Sequence, residues 1–340
     1  MKKVKVGLVG CGAIAESQAN GLKNIDTADF AAVCDLREDL AKAMAEKYQV
    51  PNVYTDYAEM LKTDIQAVVI CTPNFLHRDH AVQAAEAGKH LLVQKPFAMN
   101  LEQADEIIAA ARKNKVILQA AFFERFYSFN LKMKELLDSG KYGRPLMMRT
   151  QFSHTGIDKF WLPKTDWFHD KTKSGGGPLG DLGAHHFDVI TWLLGSAAQS
   201  VSATTTSMLE TGGNEDNAAT AVLLENGVMA QSLFSFTTVG PKGYCYEKFE
   251  IYCEEGSIIC STVTSGVPKI WVATKEMDSF EEVPYTFEDP WVGMEGHFVD
   301  CIQQGRQPIT PGEAGRRSLE IIHGCYASAE SGKAVTLQAP

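Results

Sequence analysis

The feature that most constrains the fold is an alternation of short apolar runs and longer amphipathic segments in the first third of the chain. Short apolar runs bounded by turn residues predict buried strands, and apolar residues recurring at helical spacing predict helices. Strands that alternate with helices form a parallel sheet with right-handed crossovers. Strands are predicted at Val4–Val9, Phe30–Cys34, Ala67–Cys71, His90–Gln94 and Val116–Phe122, with helices at Ala13–Leu22, Glu38–Tyr48, Asp79–Ala87 and Leu101–Asn114.

The first of these strands runs into the stretch Gly10-Cys-Gly-Ala-Ile-Ala15, which has the G-x-G-x-x-A spacing of a dinucleotide-binding turn. The turn has the context that this motif needs, because a strand precedes it, a helix follows, and the acidic Asp35 closes the second strand. An ordinary tight turn is the alternative. A lipoprotein leader ending at Cys11 is disfavoured, because Lys5 interrupts the apolar run that such a leader requires.

Ligands of open parallel sheets bind beyond the carboxyl ends of the strands. The turns after four of the predicted strands should therefore share one edge, and that edge is the predicted cofactor site. The residues assigned to it are Gly10, Gly12, Ala13, Ile14, Asp35, Arg37, Thr72, Pro73, Asn74, His77, Gln94 and Lys95. Asp35 favours NAD, because its charge opposes a 2′-phosphate, and Arg37 leaves NADP as the alternative.

Composition limits the classes of partner. A length of 340 residues predicts about two domains, and a net charge of −10 disfavours nucleic acid. No apolar run is long enough to span a membrane. The eight cysteines include no C-x-x-C pair, which predicts reduced thiols in a cytoplasmic protein and neither a zinc site nor disulfides.

From about residue 125 the pattern changes to strand-like segments, with Asn226-Gly227 as a hairpin signal. Two helices, near 291–304 and 312–331, end the chain. We predict an NAD(P)-binding domain over residues 1–123 and a second domain over 124–340. The second domain is predicted to be α+β, with a large, mostly antiparallel sheet whose open face is covered by another subunit.

Two stretches carry groups suited to catalysis. Gln94-Lys95-Pro96 follows a strand at the cofactor edge, and a glycine-rich loop at 175–177 leads into a predicted helix. Asp181 and His185 share one face of that helix, where a carboxylate can orient an imidazole that acts as acid or base. His186 points elsewhere and is predicted to pack or to face solvent.

Each of these groups has an alternative interpretation. Lys95 taken alone is a solvated surface charge, and Asp181 with His185 is a capping aspartate beside a structural histidine. A metal site made of Asp181, His185 and Asp188 is disfavoured, because no other ligands cluster with them. The aromatic residues Phe160, Trp161, Trp167 and Phe168 suit either a core or the face of a sugar.

The combined motifs resemble the glucose–fructose oxidoreductase, inositol dehydrogenase and MocA (Gfo/Idh/MocA) family over nearly the whole chain. The matching pieces are GCGAIA, Asp35, CTPNFLH, QKP, GGGPLGDLGAHHFD and SAESGK. The resemblance implies an N-terminal Rossmann domain, a nicotinamide cofactor, sugar-like substrates and a C-terminal sheet that forms dimers or tetramers. It assigns catalysis to Lys95, Asp181 and His185. Gln94 departs from the family's usual glutamate and removes a charge beside Lys95.

The sequence therefore predicts an NAD-dependent oxidoreductase acting on a secondary alcohol, or the matching ketone, of a sugar, cyclitol or sugar derivative. One alternative is a glycosidase that oxidises, eliminates and reduces back with bound NAD. Another is a non-catalytic NAD-binding regulator. The residues predicted to bind substrate are Lys95, Arg125, Trp161, Trp167, Asp181 and His185.

Overall fold

The computed structural model describes residues 3–160, 166–209, 213–241, 244–262 and 267–338, which fall into two compact units. Within these ranges, the first unit comprises residues 3–126, 166–168 and 288–316, and the second comprises 127–160, 169–287 and 317–338. Trp161 and short parts of the predicted strand region, at 210–212, 242–243 and 263–266, lie outside the described residues.

Six strands of the first unit form a parallel sheet in the order β3-β2-β1-β4-β5-β6. This order places the carboxyl ends of β1, β2, β4 and β5 along one edge, as the alternation of apolar runs predicted. Buried apolar side chains on both sides of β1 and β4 require helices on both faces of the sheet. The strands are β1 Val4–Val9, β2 Ala28–Cys34, β3 Asn52–Tyr54, β4 Ala67–Ile70, β5 His90–Val93 and β6 Leu118–Ala120.

Helices connect these strands, and others belong to the second unit. They are α1 Ala13–Lys23, α2 Glu38–Tyr48, α3 Tyr57–Leu61, α4 His77–Glu86, α5 Leu101–Asn114, α6 Ser128–Asp138, α7 Ile157–Phe160, α8 Lys171–Ser174, α9 Pro178–Leu194, α10 Pro290–Gln304 and α11 Gly312–Ser331. Short 3₁₀ turns occur at Asn74–Leu76, Phe123–Phe126 and Asp166–His169. No helix among the described residues is both long and apolar enough to cross a bilayer.

Helix α10 packs against α1 of the parallel-sheet unit. A Cβ at Gly21 would lie 2.9 Å from the Trp291 carbonyl oxygen and 3.0 Å from Cγ of Glu295, so glycine is what allows the two helices to approach. The Trp291 ring also stacks on Phe123 at a centroid distance of 4.3 Å. We had assigned this helix to the second domain. These contacts attach it to the first unit, and the domain division at residue 123 stays a prediction.

Nine strands of the second unit form one sheet in the order β14-β13-β12-β11-β7-β10-β9-β8-β15. All adjacent pairs are antiparallel except β7 with β10, so the predicted antiparallel character is confirmed. Gly227, at φ +84°, turns β9 into β10 at the predicted hairpin. The strands are β7 Pro145–His154, β8 Ala198–Thr206, β9 Asn217–Leu224, β10 Met229–Ser235, β11 Cys245–Cys253, β12 Gly256–Ser261, β13 Lys269–Thr274, β14 Glu281–Val283 and β15 Val335–Thr336.

One face of this sheet is buried and the other carries exposed apolar side chains. Along β10, buried and exposed residues alternate, because successive side chains of a strand point to opposite faces. The buried face packs against α9. Leu223, Met229 and Leu233 lie on the exposed face of β9 and β10 and are about 40 to 50% exposed.

Candidate functional site

The two glycines of the dinucleotide-type turn serve different purposes. Gly10 has φ +88°, and a Cβ there would lie 2.7 Å from backbone atoms of Cys71 and Thr72, so the position admits only glycine. At Gly12 a Cβ would meet no described atom within 4 Å. Gly12 also precedes α1 without a side-chain cap. The helix N-terminus is thus open to the diphosphate of a dinucleotide, as the fold requires.

Asp35 lies directly beside this turn. Its Oδ2 accepts a hydrogen bond from the Cys11 backbone N–H at 2.7 Å, and its Oδ1 accepts one from Arg37 N–H at 2.9 Å. The carboxylate is partly exposed at the end of β2, where a ribose hydroxyl can donate to it. The Arg37 guanidinium pairs with Asp39 at 2.8 Å. The turn, the open helix terminus and the acid together fit a dinucleotide.

His77 joins two loops at the same edge of the sheet. Its Nε2 lies 2.9 Å from the Thr72 carbonyl oxygen and its Nδ1 2.9 Å from that of Pro96, and the ring is fully buried. Burial lowers the pKa of His77 to about 4, against the opposite effect of the two carbonyl groups. Both ring nitrogens are engaged inside the protein, so His77 supports the two loops. Its place in the cofactor site stays a prediction.

The predicted catalytic lysine, Lys95, follows β5. Side chains of Gln94 and His77 contact the backbone on either side of it. Gln94 is 3% exposed, and its Oε1 accepts a hydrogen bond from Lys95 N–H at 3.2 Å. The Lys95–Pro96 peptide bond is cis, and the Pro96 carbonyl oxygen contacts His77. Lys95 itself is partly exposed. The glutamine retains the hydrogen-bonding capacity of the family's usual glutamate towards the backbone, without its charge.

The predicted acid–base pair lies on α9 of the second unit. Asp181 stands in the first turn of the helix and His185 one turn later, so the two side chains share a face. Both are buried, at 5% and 2% exposed. The preceding loop residue Gly175 has φ +85° and Gly176 has φ +148°, conformations that other residues rarely adopt. The loop therefore leads the chain sharply into the helix.

His186, the neighbour of His185, has a separate environment in the same unit. Its ring is fully buried and stacks on Phe152 at 5.1 Å between centroids, with Phe249 at 4.7 Å. Its Nε2 lies 3.2 Å from Oε1 of Glu247. Of the two predicted outcomes for His186, packing and exposure, packing is the one observed.

The remaining predicted residues have mixed surroundings. Arg125 is 6% exposed, and its guanidinium donates a hydrogen bond to the Ile309 carbonyl oxygen at 2.7 Å. Trp167 is partly buried beside Phe168. Ala13 and Ile14 open α1 and are partly exposed, whereas Asn74 is 5% exposed. The cofactor and substrate roles of these residues stay predictions.

Two residues that bear on the site were not predicted from the sequence. Glu215 accepts hydrogen bonds from backbone N–H groups at the start of α9, and Tyr326 donates one to the same carboxylate. The three glycines at 175–177 were the only local signal. They indicate that another part of the chain packs closely there, but they do not identify which residues do so.

The sequence matches two models of one protein family. Residues 4–122 match a family model described as an oxidoreductase family, NAD-binding Rossmann fold, and residues 130–259 match the GFO/IDH/MocA C-terminal domain.

Full-length relatives extend the similarity to the whole chain. Myo-inositol 2-dehydrogenase of Thermotoga maritima is 26% identical over 98% of this chain and 99% of its own. The 1,5-anhydro-D-fructose reductase of Ensifer adhaerens is 26% identical over 98% of both chains. A levoglucosan dehydrogenase solved with NADH and L-sorbose superposes with a TM-score of 0.91 over both full chains, at 21% identity, and so shares the fold.

The environment of His77 predicts a specific acid sensitivity. Its pKa in the fold lies below the value of 6.5 in the unfolded chain, so the unfolded chain binds more protons between about pH 4 and 6.5. The stabilising contribution of His77 is therefore complete above pH 6.5 and is lost as the pH falls towards 4. Between pH 7 and 5, wild type should lose about 2 kcal/mol more free energy of unfolding than His77→Gln in urea titrations.

The comparison with His77→Gln is needed because burial also lowers the pKa values of His80, His90 and His297. Those three histidines are present in both proteins, so their contributions to the pH dependence of the free energy of unfolding cancel in the comparison. Equal losses in the two proteins would contradict the assignment to His77.

The position of Asp35 predicts a preference for NADH over NADPH. A 2′-phosphate would meet the carboxylate, which should weaken NADPH binding by about tenfold or more. Dissociation constants from fluorescence titration measure this ratio directly. Asp35→Ser should bring the dissociation constants for NADPH and NADH closer together. Glu38→Ser removes an exposed carboxylate paired with Lys42 and should leave their ratio unchanged. Tighter binding of NADPH by wild type would contradict the prediction.

Proposed function

The chain belongs to the GFO/IDH/MocA oxidoreductase family, and from that premise we propose that it is an NAD-dependent dehydrogenase or reductase of sugar-like compounds. The reaction is hydride transfer between nicotinamide and a secondary alcohol, or the matching ketone, of a sugar, cyclitol or sugar derivative. Relatives that match over nearly their whole length are named as an inositol dehydrogenase and an anhydrofructose reductase, which supports this substrate class.

One observation carries the proposal. The same chain joins an NAD-binding Rossmann fold to a buried helix on which Asp181 and His185 stand one turn apart. A carboxylate one helical turn from an imidazole is suited to moving a proton, which supports catalysis over binding alone. Loss of a hydride from an alcohol requires loss of a proton from its oxygen, so the pair supplies what the cofactor does not.

The residues divide the work as follows. His185 takes the proton of the reacting hydroxyl group during oxidation and returns it during reduction. Asp181 orients the imidazole and stabilises its charged form. Lys95 donates a hydrogen bond to the reacting oxygen and stabilises alkoxide character on it, which is an electrostatic role.

The residues that would hold NAD are those of the turn at the edge of the parallel sheet. Gly10 and Gly12 would admit the diphosphate to the N-terminus of α1, and Asp35 would accept hydrogen bonds from the adenosine ribose. When bound, NAD supplies the acceptor or donor of the hydride. Trp167, with its partly buried ring, is assigned to the substrate's C–H faces.

We further propose that the protein is a cytoplasmic homodimer or homotetramer assembled through the second-unit sheet. The exposed apolar residues Leu223, Met229 and Leu233 on that sheet support the assembly. The eight cysteines lie within the described residues and none forms a disulfide there, which suits a reducing compartment.

A panel experiment tests the proposed function. Purified protein and NAD are incubated with sugars, cyclitols and glycosides while NADH and released sugar are both followed. Formation of NADH with at least one compound is expected. Release of sugar without NADH would replace the proposal with a redox-cycling glycosidase, and no reaction across the panel would favour a regulator.

The two adjacent histidines predict opposite outcomes on substitution. His185→Asn should lower turnover roughly a hundred- to ten-thousandfold, because it removes the acid–base group, while NADH binding persists. His186→Asn removes a buried contact with Glu247 and should lower the free energy of unfolding by about 1 to 3 kcal/mol with little loss of turnover.

Steady-state kinetics across pH and thermal unfolding of both variants measure these effects. The limb of the pH–rate profile near neutrality should vanish in His185→Asn and persist in His186→Asn. An inactive His186→Asn beside an active His185→Asn would overturn the assignment.

For Lys95 the expected effect is on the chemical step. Lys95→Ala should lower turnover on the order of a hundredfold or more, with a much smaller change in NADH affinity. Gln94→Glu should restore the family's usual charge and change the pH profile more than the KM for substrate. Turnover close to wild type in Lys95→Ala would show the lysine to be a solvated surface charge.

A further inference from the structure

The start of α9 has no side-chain cap from the residue that precedes it. The residue before it is Gly177, which has no side chain to cap the helix, and the first helical residue is Pro178. The backbone N–H groups of a first helical turn have no partner within the helix and require acceptors from elsewhere. Because α9 carries Asp181 and His185, whatever fills this need also determines where those two side chains stand.

Glu215 supplies the acceptor from a distant part of the second unit. Its Oε1 accepts hydrogen bonds from Gly177 N–H at 3.0 Å and from Leu179 N–H at 3.1 Å. The residue is 6% exposed. A carboxylate placed there also meets the positive end of the helix dipole. Glu215 thus replaces the missing cap.

Tyr326 on α11 completes the arrangement. Its hydroxyl group donates a hydrogen bond to the same Oε1 of Glu215 at 2.8 Å. Burial raises the pKa of Tyr326 well above its ordinary value, and the nearby Glu215 acts in the same direction. The hydroxyl group therefore keeps its proton at any pH at which the enzyme works, and it remains a donor.

The glycines of the loop make room for these two residues. A Cβ on Gly176 would lie 1.9 Å from the Tyr326 hydroxyl oxygen, and a Cβ on Gly177 would lie 1.9 Å from the Glu215 carbonyl oxygen. Neither distance admits a side chain. Two glycines of the triplet before α9, Gly176 and Gly177, are thus explained by close approach to Tyr326 and Glu215.

We propose that Glu215 and Tyr326 form a clasp that holds the first turn of α9 and so positions Asp181 and His185 for the reaction. Glu215 is in this sense a positioning residue, and the inference rests on the proposed roles of Asp181 and His185. Asp181 follows the clasped segment directly, since its N–H donates to the Gly177 carbonyl oxygen at 3.0 Å. Rotation of this turn would move Asp181 first and His185 one turn later.

Three substitutions test the clasp in the full-length protein. Glu215→Ala removes the acceptor, Tyr326→Phe removes one donor, and Glu215→Gln keeps an amide oxygen that can still accept hydrogen bonds at this position. Asp216→Asn is the matched control, because Asp216 is equally buried but accepts from the backbone N–H groups of Met208 and Leu209.

The turnover measurement uses the panel compound that wild type oxidises fastest. Glu215→Ala should lower kcat by about a hundredfold, the loss expected when a reacting group is displaced by about 1 Å. KM and NADH affinity should change much less. Tyr326→Phe should lie between wild type and Glu215→Ala, and Glu215→Gln should recover most of the rate. Asp216→Asn should keep the wild-type rate per folded molecule.

Two further measurements do not depend on turnover. Amide hydrogen exchange at residues 177–181 should accelerate by roughly tenfold or more in Glu215→Ala, because the first turn loses its acceptor. The ¹³C-labelled ring signal of His185 should shift while that of His186 stays, with both signals assigned through the Asn variants.

A folded Glu215→Ala with wild-type exchange at 177–181 and wild-type kcat would overturn the clasp. A lower melting temperature with unchanged kcat and an unchanged His185 signal would also overturn it, as a merely structural role. If wild type oxidises no compound of the panel, the proposed function fails, and the exchange and ring signals still decide whether Glu215 positions α9.

Discussion

The cofactor edge of the parallel sheet depends on one buried imidazole. His77 contacts the carbonyl oxygen of Thr72 after β4 and that of Pro96 after β5. The first of these loops lies against Gly10, and the second carries Lys95. Carbonyl oxygens only accept hydrogen bonds, and a neutral imidazole has one N–H, so the ring satisfies one oxygen fully at a time. The arrangement holds because the ring is enclosed.

Buried polar side chains that hold backbone groups recur in the second unit. Glu215 does for the start of α9 what His77 does for the loops after β4 and β5. In both places a loop must follow a defined course with few regular hydrogen bonds of its own, and an unpaired buried backbone group is costly. A side chain from elsewhere in the sequence therefore supplies the hydrogen-bond partner for these backbone groups.

Much of the fold could be predicted from the sequence, because its causes are local. The spacing of apolar residues predicted the parallel sheet, and Asn226-Gly227 predicted the turn between β9 and β10. The contact of α10 with α1 could not be predicted in the same way. Helical periodicity shows that a helix has an apolar face, and Gly21 of α1, which receives α10, lies far away in the chain.

The sequence by itself determined features that follow from local neighbours: the glycine turn, the position of Asp35 after its strand, and the spacing of Asp181 and His185 by one helical turn. Only the tertiary structure decided that His186 packs against Glu247, that His77 is enclosed between two loops, and that Glu215 and Tyr326 hold α9. The reason is physical. A sequence reveals that a buried polar group or an uncapped helix needs a partner, but the partner is chosen by proximity in space after the chain has folded.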